Sequence, residues 1–195
     1  MTKTCMLLLG LLIITACNST SAQVFPSPVP SATPKPTVEK SLPAPVPPGQ
    51  AVVYGDLQVV MSQAEITTSY LTEYGSARVP SAGQKFLWIQ IGLKDTGQAP
   101  QDLPAPEHFS VLNGATEFKP IYGHRQDHPD YMALTTGVVA GQTVDAWLRF
   151  DIPSALELKD LAFAFLPESS QVSVGFSPSN YPAGDHPIYL WTCTP

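Results

Sequence analysis

The sequence predicts an all-β chain: an antiparallel β-sandwich preceded by a leader and a proline-rich linker. Three observations predict it. Between positions 51 and 195 the apolar residues alternate with a period of two, the pattern of strands buried on one face. Turn-forming stretches ("PSAG", "DTGQAP", "NGA", "SPSNYPAGDHP") break that alternation at short intervals. No long segment keeps a helical period without meeting a proline or glycine.

The leader comes first. The chain opens MTKTCMLLLGLLIITAC, with Lys3 ahead of an apolar run from Met6 to Ile14. That run falls short of the ~20 apolar residues a membrane-spanning helix needs. A charged start, a short apolar middle and small residues after it describe a secretory signal peptide over residues 1–16. Ile14-Thr15-Ala16-Cys17 resembles the lipobox of bacterial lipoproteins, in which the cysteine thiol is diacylated and the preceding peptide bond is then cleaved. The resemblance implies that Cys17 is lipidated and becomes the mature N-terminus. Each buried methylene of an acyl chain contributes ~0.8 kcal/mol, and two chains anchor stably. The implied address is the extracytoplasmic face of the cell membrane or envelope. Asn18 stands where some two-membrane bacteria place an Asp to retain a lipoprotein in the inner membrane. The alternative is an ordinary cleavage site beside an unrelated cysteine.

The linker follows, over residues 17–50. Nine of the 21 prolines lie between Pro26 and Pro48, among Ser, Thr and Ala. Proline fixes φ and has no amide donor, so helix and sheet are both disfavoured and extended polyproline II is favoured. At ~3.1 Å per residue the segment from Pro26 to Pro48 spans on the order of 70 Å. It reads as a disordered stalk. The alternative, a ligand for a proline-reading module, rests on Pro28, Pro30 and Pro45.

The domain is expected over residues 51–195. In "KFLWIQIGLK" (85–94), Leu87, Ile89, Ile91 and Leu93 share one face and Phe86, Trp88 and Gln90 the other. In "TVDAWLRFDIP" (143–153), Val144, Ala146, Leu148, Phe150 and Ile152 oppose Asp145, Trp147, Arg149 and Asp151. Further strands are expected within 56–67, 69–79, 108–114, 116–123, 160–167, 171–176 and 188–193, with a helical turn or two in 154–161. One sheet alone would leave an apolar face in water; two sheets face to face bury both. A closed barrel is the alternative. Once Cys5 leaves with the leader and Cys17 is acylated, Cys193 is the one cysteine remaining. The domain therefore lacks an internal disulfide and depends on its core. Cys193 reads as a half-buried strand-end residue; an intermolecular disulfide is the alternative.

The stretch from "GQKFLWIQIGLKDTG" to "VVAGQTVDAWLRFDIP" resembles the immunoglobulin-like domain of many uncharacterised bacterial lipoproteins, a family related in fold to a mycobacterial secreted immunogenic protein. The shared positions are Gly83, Phe86, Thr96, Gly97, Phe109, Gly114, Gly141, Val144, Trp147, Phe150 and Pro153. Asp95 replaces the usual Asn, and Ala140 the usual Pro. The likeness covers roughly residues 83–167. It implies an immunoglobulin-like sandwich and an extracytoplasmic binding role, and it carries no catalytic residues.

Composition narrows the partners. Residues 51–195 hold seven Lys/Arg against fifteen Asp/Glu, which argues against nucleic acid and against direct adhesion to anionic lipid. The densest polar stretch is "YGHRQDHPDYM", where His124, Asp127 and His128 are of metal-ligand type. Their spacing matches no standard ligand pattern, and Pro129 makes the stretch a loop. "GFSPS" (175–179) lacks the second glycine of a nucleophile elbow, so no enzyme is predicted and no cofactor is called for. Trp147, by alternation, points away from the core; Trp88 and Trp191 join it as candidate platforms for a sugar ring. Three functions are weighed: a lipid-anchored binding or scaffolding module contacting envelope proteins, a cell-wall glycan binder using exposed Trp, and a metal-binding protein.

Overall fold

The computed structural model describes residues 42–134, 137–168 and 186–195. The leader, Cys17, the linker up to residue 41 and the strand expected at 171–176 lie outside the described residues. The chain divides into two units, Met1–Val38 and Glu39–Pro195, and the described residues fall in the second.

Two four-stranded antiparallel sheets form, as the alternation predicts. One has the order β1 (Ala51–Tyr54), β2 (Leu57–Thr67), β5 (Gln84–Asp95), β8 (Thr143–Pro153). The other has the order β10 (Tyr189–Thr192), β9 (Ala162–Phe165), β6 (Phe109–Asn113), β7 (Thr116–Phe118). A small hairpin of β3 (Tyr70–Leu71) and β4 (Ala77–Arg78) stands apart. The chain lays β2 and β5 in the first sheet, β6 and β7 in the second, returns for β8, then adds β9 and β10 to the second. With β1 as an added edge, this is the Greek-key order of an immunoglobulin-like sandwich.

The core lies between the sheets. Leu87, Ile89, Ile91 and Leu93 of β5 and Leu148, Phe150 and Ile152 of β8 are fully buried there. They face Phe109, Val111, Phe163, Phe165 and Trp191 of the second sheet. Phe109 stacks on Phe163 and Phe165, with ring centroids 5.8 and 5.1 Å apart. Asp95 serves its turn as Asn does: its Oδ1 accepts the Gly97 amide at 2.7 Å. A side chain at Gly97 would meet the Asp56 carboxylate at 2.8 Å and push it aside.

A β-bulge at Ser62 sets the phase of β2. Its register against β5 shifts between Met61 and Gln63. Leu57, Val59 and Met61 face the core before the bulge, and Ala64 and Ile66 pack against it afterwards. Glu65 and Thr67 are thereby delivered to the outer face, beside Trp88.

Several boundaries differ from the sequence reading. The stretch 69–79 is the β3–β4 hairpin rather than one strand, because Thr72 and Gly75 close a turn within it: Gly75 donates to Thr72 O at 2.8 Å and has φ 77°. In 116–123 the strand β7 ends at Phe118, ahead of Pro120, and Ile121 bridges to Arg149 of β8 instead. The helical stretch in 154–161 is a single 3-10 turn, Leu158–Asp160. Residues 42–50, expected in the stalk, belong to the domain. Val46, between two prolines, donates to Leu190 O at 2.8 Å and accepts from Thr192 at 2.9 Å, capping the edge of β10. Cys193 is 3% exposed rather than half-buried, and burial pushes its thiol up to about 12. An intermolecular disulfide therefore has no accessible sulfur in the folded domain.

Candidate functional site

The outer face of the first sheet carries Phe86 and Trp88 from β5 and Trp147, Arg149 and Asp151 from β8. Such an apolar strip left in water would favour burial by roughly 25 cal/mol per Å2. Two segments cover it.

The first is the stretch from Lys119 to Tyr131. It runs along the free edge of β8, where Ile121 donates to Arg149 O and Trp147 donates to Pro129 O, both at 2.7 Å. It then crosses the face. The His128 ring stacks on Trp147 at 3.9 Å and meets Trp88 edge-on at 5.5 Å. The Arg125 guanidinium lies 5.5 Å over the Trp88 ring and pairs with Glu65. His128 Nε2 is 3.0 Å from the same Glu65 oxygen, and Trp88 Nε1 donates to Thr67 at 3.2 Å. The bulge at Ser62 is what brings Glu65 here.

The second cover is the β3–β4 hairpin. Tyr70 packs edge-on against Phe86 and Trp88, at 5.1 and 5.0 Å. Its hydroxyl accepts from Arg149 Nη1 at 3.0 Å, while the Arg149 guanidinium lies 5.3 Å over Phe86. Gln126 donates to Leu71 O at 3.0 Å and ties the two covers together. Between them remains a cleft of about 470 Å3, lined among others by Tyr70, Tyr74, Arg78, Tyr122, His124 and Arg149. Its rim holds Tyr74 on a turn fixed by Gly75 to Thr72 O at 2.8 Å and Ser76 to Thr72 Oγ1 at 3.1 Å. Gly123 lets the opposite wall approach: a Cβ there would meet Arg149 Cδ at 2.8 Å.

The three tryptophans are not platforms. Trp88, Trp147 and Trp191 are 1%, 7% and 0% exposed. Trp147 does point away from the inter-sheet core, but His128 covers it. Trp191 lies between the sheets, its Nε1 donating to Gln50 O at 2.8 Å. The candidate metal set separates. His128 and Asp127 adjoin at 3.2 Å, but Arg125 pairs with Asp127 at 2.7 Å as well as with Glu65. His124 turns to Glu73, 3.6 Å away, and to the Tyr122 ring. Among the described residues, no three His, Cys, Asp or Glu side chains converge as metal ligands. Desolvation opposes ionisation of Asp127, yet the hydrogen bond from Arg125 and the nearby charges hold its carboxyl below the usual range.

No family model matches the chain, and no curated protein does. Among solved structures it is similar to an uncharacterised β-sandwich protein from Clostridium difficile 630, at 12% identity over 80% of this chain and 98% of that one, with a TM-score of 0.49. The yjhA protein from Bacillus subtilis is similar at 13% over 75% and 98%, TM-score 0.47. A functionally unknown protein from Listeria monocytogenes EGD-e is similar at 12% over 80% and 87%, TM-score 0.46. Likeness at this level says nothing of function.

Sequence reasoning singles out the 122–132 loop but misses its partner Glu65 and the hairpin that completes the cleft. The signal was present in part: Phe86, Trp88 and Trp147 all fall on the outward face, and an outward aromatic strip demands a cover.

Proposed function

We propose that this chain is a lipid-anchored, extracytoplasmic binding module of the bacterial cell envelope, held at Cys17 and acting without catalysis through the cleft on its first sheet. One observation supports the binding reading most directly. Large apolar side chains that remain exposed gather at this cleft: Tyr74, Val79 and Tyr122 line it, and Leu71 and Ile121 adjoin it. Exposed apolar groups grouped around a polar floor mark a recognition surface rather than scattered surface residues. The leader, the lipobox resemblance at 14–17 and the likeness to immunoglobulin-like lipoproteins support the address. Membrane contact is then through the acyl chains, with envelope proteins or cell-wall glycan as partners.

Palmitate labelling of cells expressing the wild type and Cys17→Ala tests the anchor. Label should enter the wild type and be lost in Cys17→Ala, which leaves the membrane fraction. A photo-crosslinker at position 122 tests the cleft in the same cells. A chain that keeps its leader unmodified overturns the address. An uncrosslinked Tyr122 position in intact envelopes overturns the site.

A further inference from the structure

We propose that the cleft between the hairpin and the 119–131 segment binds a neutral oligosaccharide, with Tyr74 and Tyr122 as its stacking walls and Arg149 and Asp151 as its polar floor. The proposal rests on reading this cleft as the binding site and adds the chemistry of the occupant.

The charges of the lining cancel. Arg78 and Arg149 stand against Glu73 and Asp151, with His124 within 3.6 Å of Glu73. A site for phosphate or a polyanion carries surplus positive charge, and a site for an amine carries the reverse. Balanced charge around a small volume suits a ligand with many hydroxyls and no net charge.

The walls offer ring faces. Tyr74 is 85% exposed and Tyr122 56% exposed, on opposite covers of the cleft. A pyranose presents a face of C–H groups that packs on an aromatic ring and a rim of hydroxyls that needs donors and acceptors, which is the amphipathic match tyrosine provides. The volume of about 470 Å3 lies within the range of roughly 300–1,000 Å3 found for small-ligand sites.

The floor carries an ion pair. Arg149 Nε and Asp151 Oδ1 pair at 3.4 Å, and both half-buried side chains line the cleft. A guanidinium and a carboxylate side by side in the lining offer a ligand hydroxyl both donors and acceptors. A peptide added as a strand is disfavoured here, because Ile121 and Asp130 already occupy the edge of β8.

The test titrates the full chain, extracted in detergent, with chitotetraose, cellotetraose and tetragalacturonate by calorimetry. At least one neutral tetrasaccharide should bind, with an affinity insensitive to salt because the lining charges cancel. Tyr74→Ala and Tyr122→Ala remove exposed rings, so the fold is kept, and each should weaken binding roughly tenfold. Asp151→Asn keeps the shape and should weaken binding without altering the melting temperature by more than a few degrees. Tighter binding of tetragalacturonate, absence of binding by both neutral sugars, or neutral-sugar binding unchanged in both tyrosine variants overturns the proposal. Crosslinking at position 122 that persists while no sugar binds removes the glycan and leaves the binding module standing.

Discussion

Stability should fall on the alkaline side of neutrality because of one thiol, and the loss should vanish in Cys193→Ala. Cys193 sits 3% exposed against the inter-sheet core. Burial raises its pKa from 9.0 to about 12. The unfolded chain therefore releases this proton first. The sign follows: a raised folded pKa leaves full stability below about pH 9 and removes it progressively as the pH climbs toward 12. Each pH unit in that window is worth about 1.4 kcal/mol, so the thiol alone costs about 1.4 kcal/mol at pH 10. Tyr131, whose hydroxyl donates to Pro104 O at 2.5 Å, is also raised by burial. Its contribution begins above its ordinary value of 10.0, so the interval from about pH 8 to 10 isolates the cysteine. Urea unfolding at several pH values in that interval reads the effect, with Cys193→Ala as the reference. The alanine variant loses packing at every pH but should show a flat profile. A thiol reagent should leave native Cys193 untouched and modify it in denaturant. An equal alkaline loss in Cys193→Ala, or rapid labelling of the native protein, refutes the reasoning.

Trp88→Ala should cost roughly 3–5 kcal/mol of unfolding free energy, as a buried indole does; thermal melts check it, and a near-neutral result would mean the ring is a surface platform after all. Deleting Ser62 removes the bulge yet keeps the faces, because Gln63 then follows Met61 directly and 57, 59, 61, 64 and 66 become one unbroken alternation, with Glu65 still opposite Trp88. The deletion variant should therefore fold cooperatively and lose under about 2 kcal/mol, and Ser62→Ala should change stability by under about 1 kcal/mol; urea unfolding checks both, and an unfolded deletion variant contradicts the register. The Asp127 carboxyl should titrate by NMR below its ordinary 3.8. Since the folded value is depressed, its stabilisation is present above that value and lost as pH falls through the lower one, loosening the loop around His128. A midpoint at or above 3.8 contradicts the Arg125 pairing.

Much of the sandwich is legible because strand alternation encodes it directly. The inward sets of β5 and β8 follow from their spacing alone, and so does the outward position of Trp147. What alternation leaves out is cover. A residue that leaves one core is free to enter another, and the strip of Phe86, Trp88 and Trp147 becomes a second core once the 119–131 segment and the hairpin lie on it. Those covers join the sheet through contacts far apart in sequence, such as Arg125 to Glu65 and Arg149 to Tyr70, which no local pattern announces. The bulge was hidden for a related reason: 57, 59 and 61 followed by 64 and 66 is a change of phase, and only pairing with β5 shows that the strand continues through it. The linker boundary was misplaced because proline reads as an interruption, while a single amide between two prolines suffices to bridge an edge strand.

The two outer faces of the sandwich are covered differently. Leu42 packs with Leu112, Ala164, Leu166 and Leu190 on the outer face of the second sheet, so the chain enters the domain there. Val46 then seals the β10 edge beside that face. The cleft opens on the outer face of the first sheet, with the full thickness of the core between it and the point of entry. Leu42 therefore lies on the face opposite the cleft, and the covers that build the cleft are the same ones that keep Trp88 and Trp147 out of water.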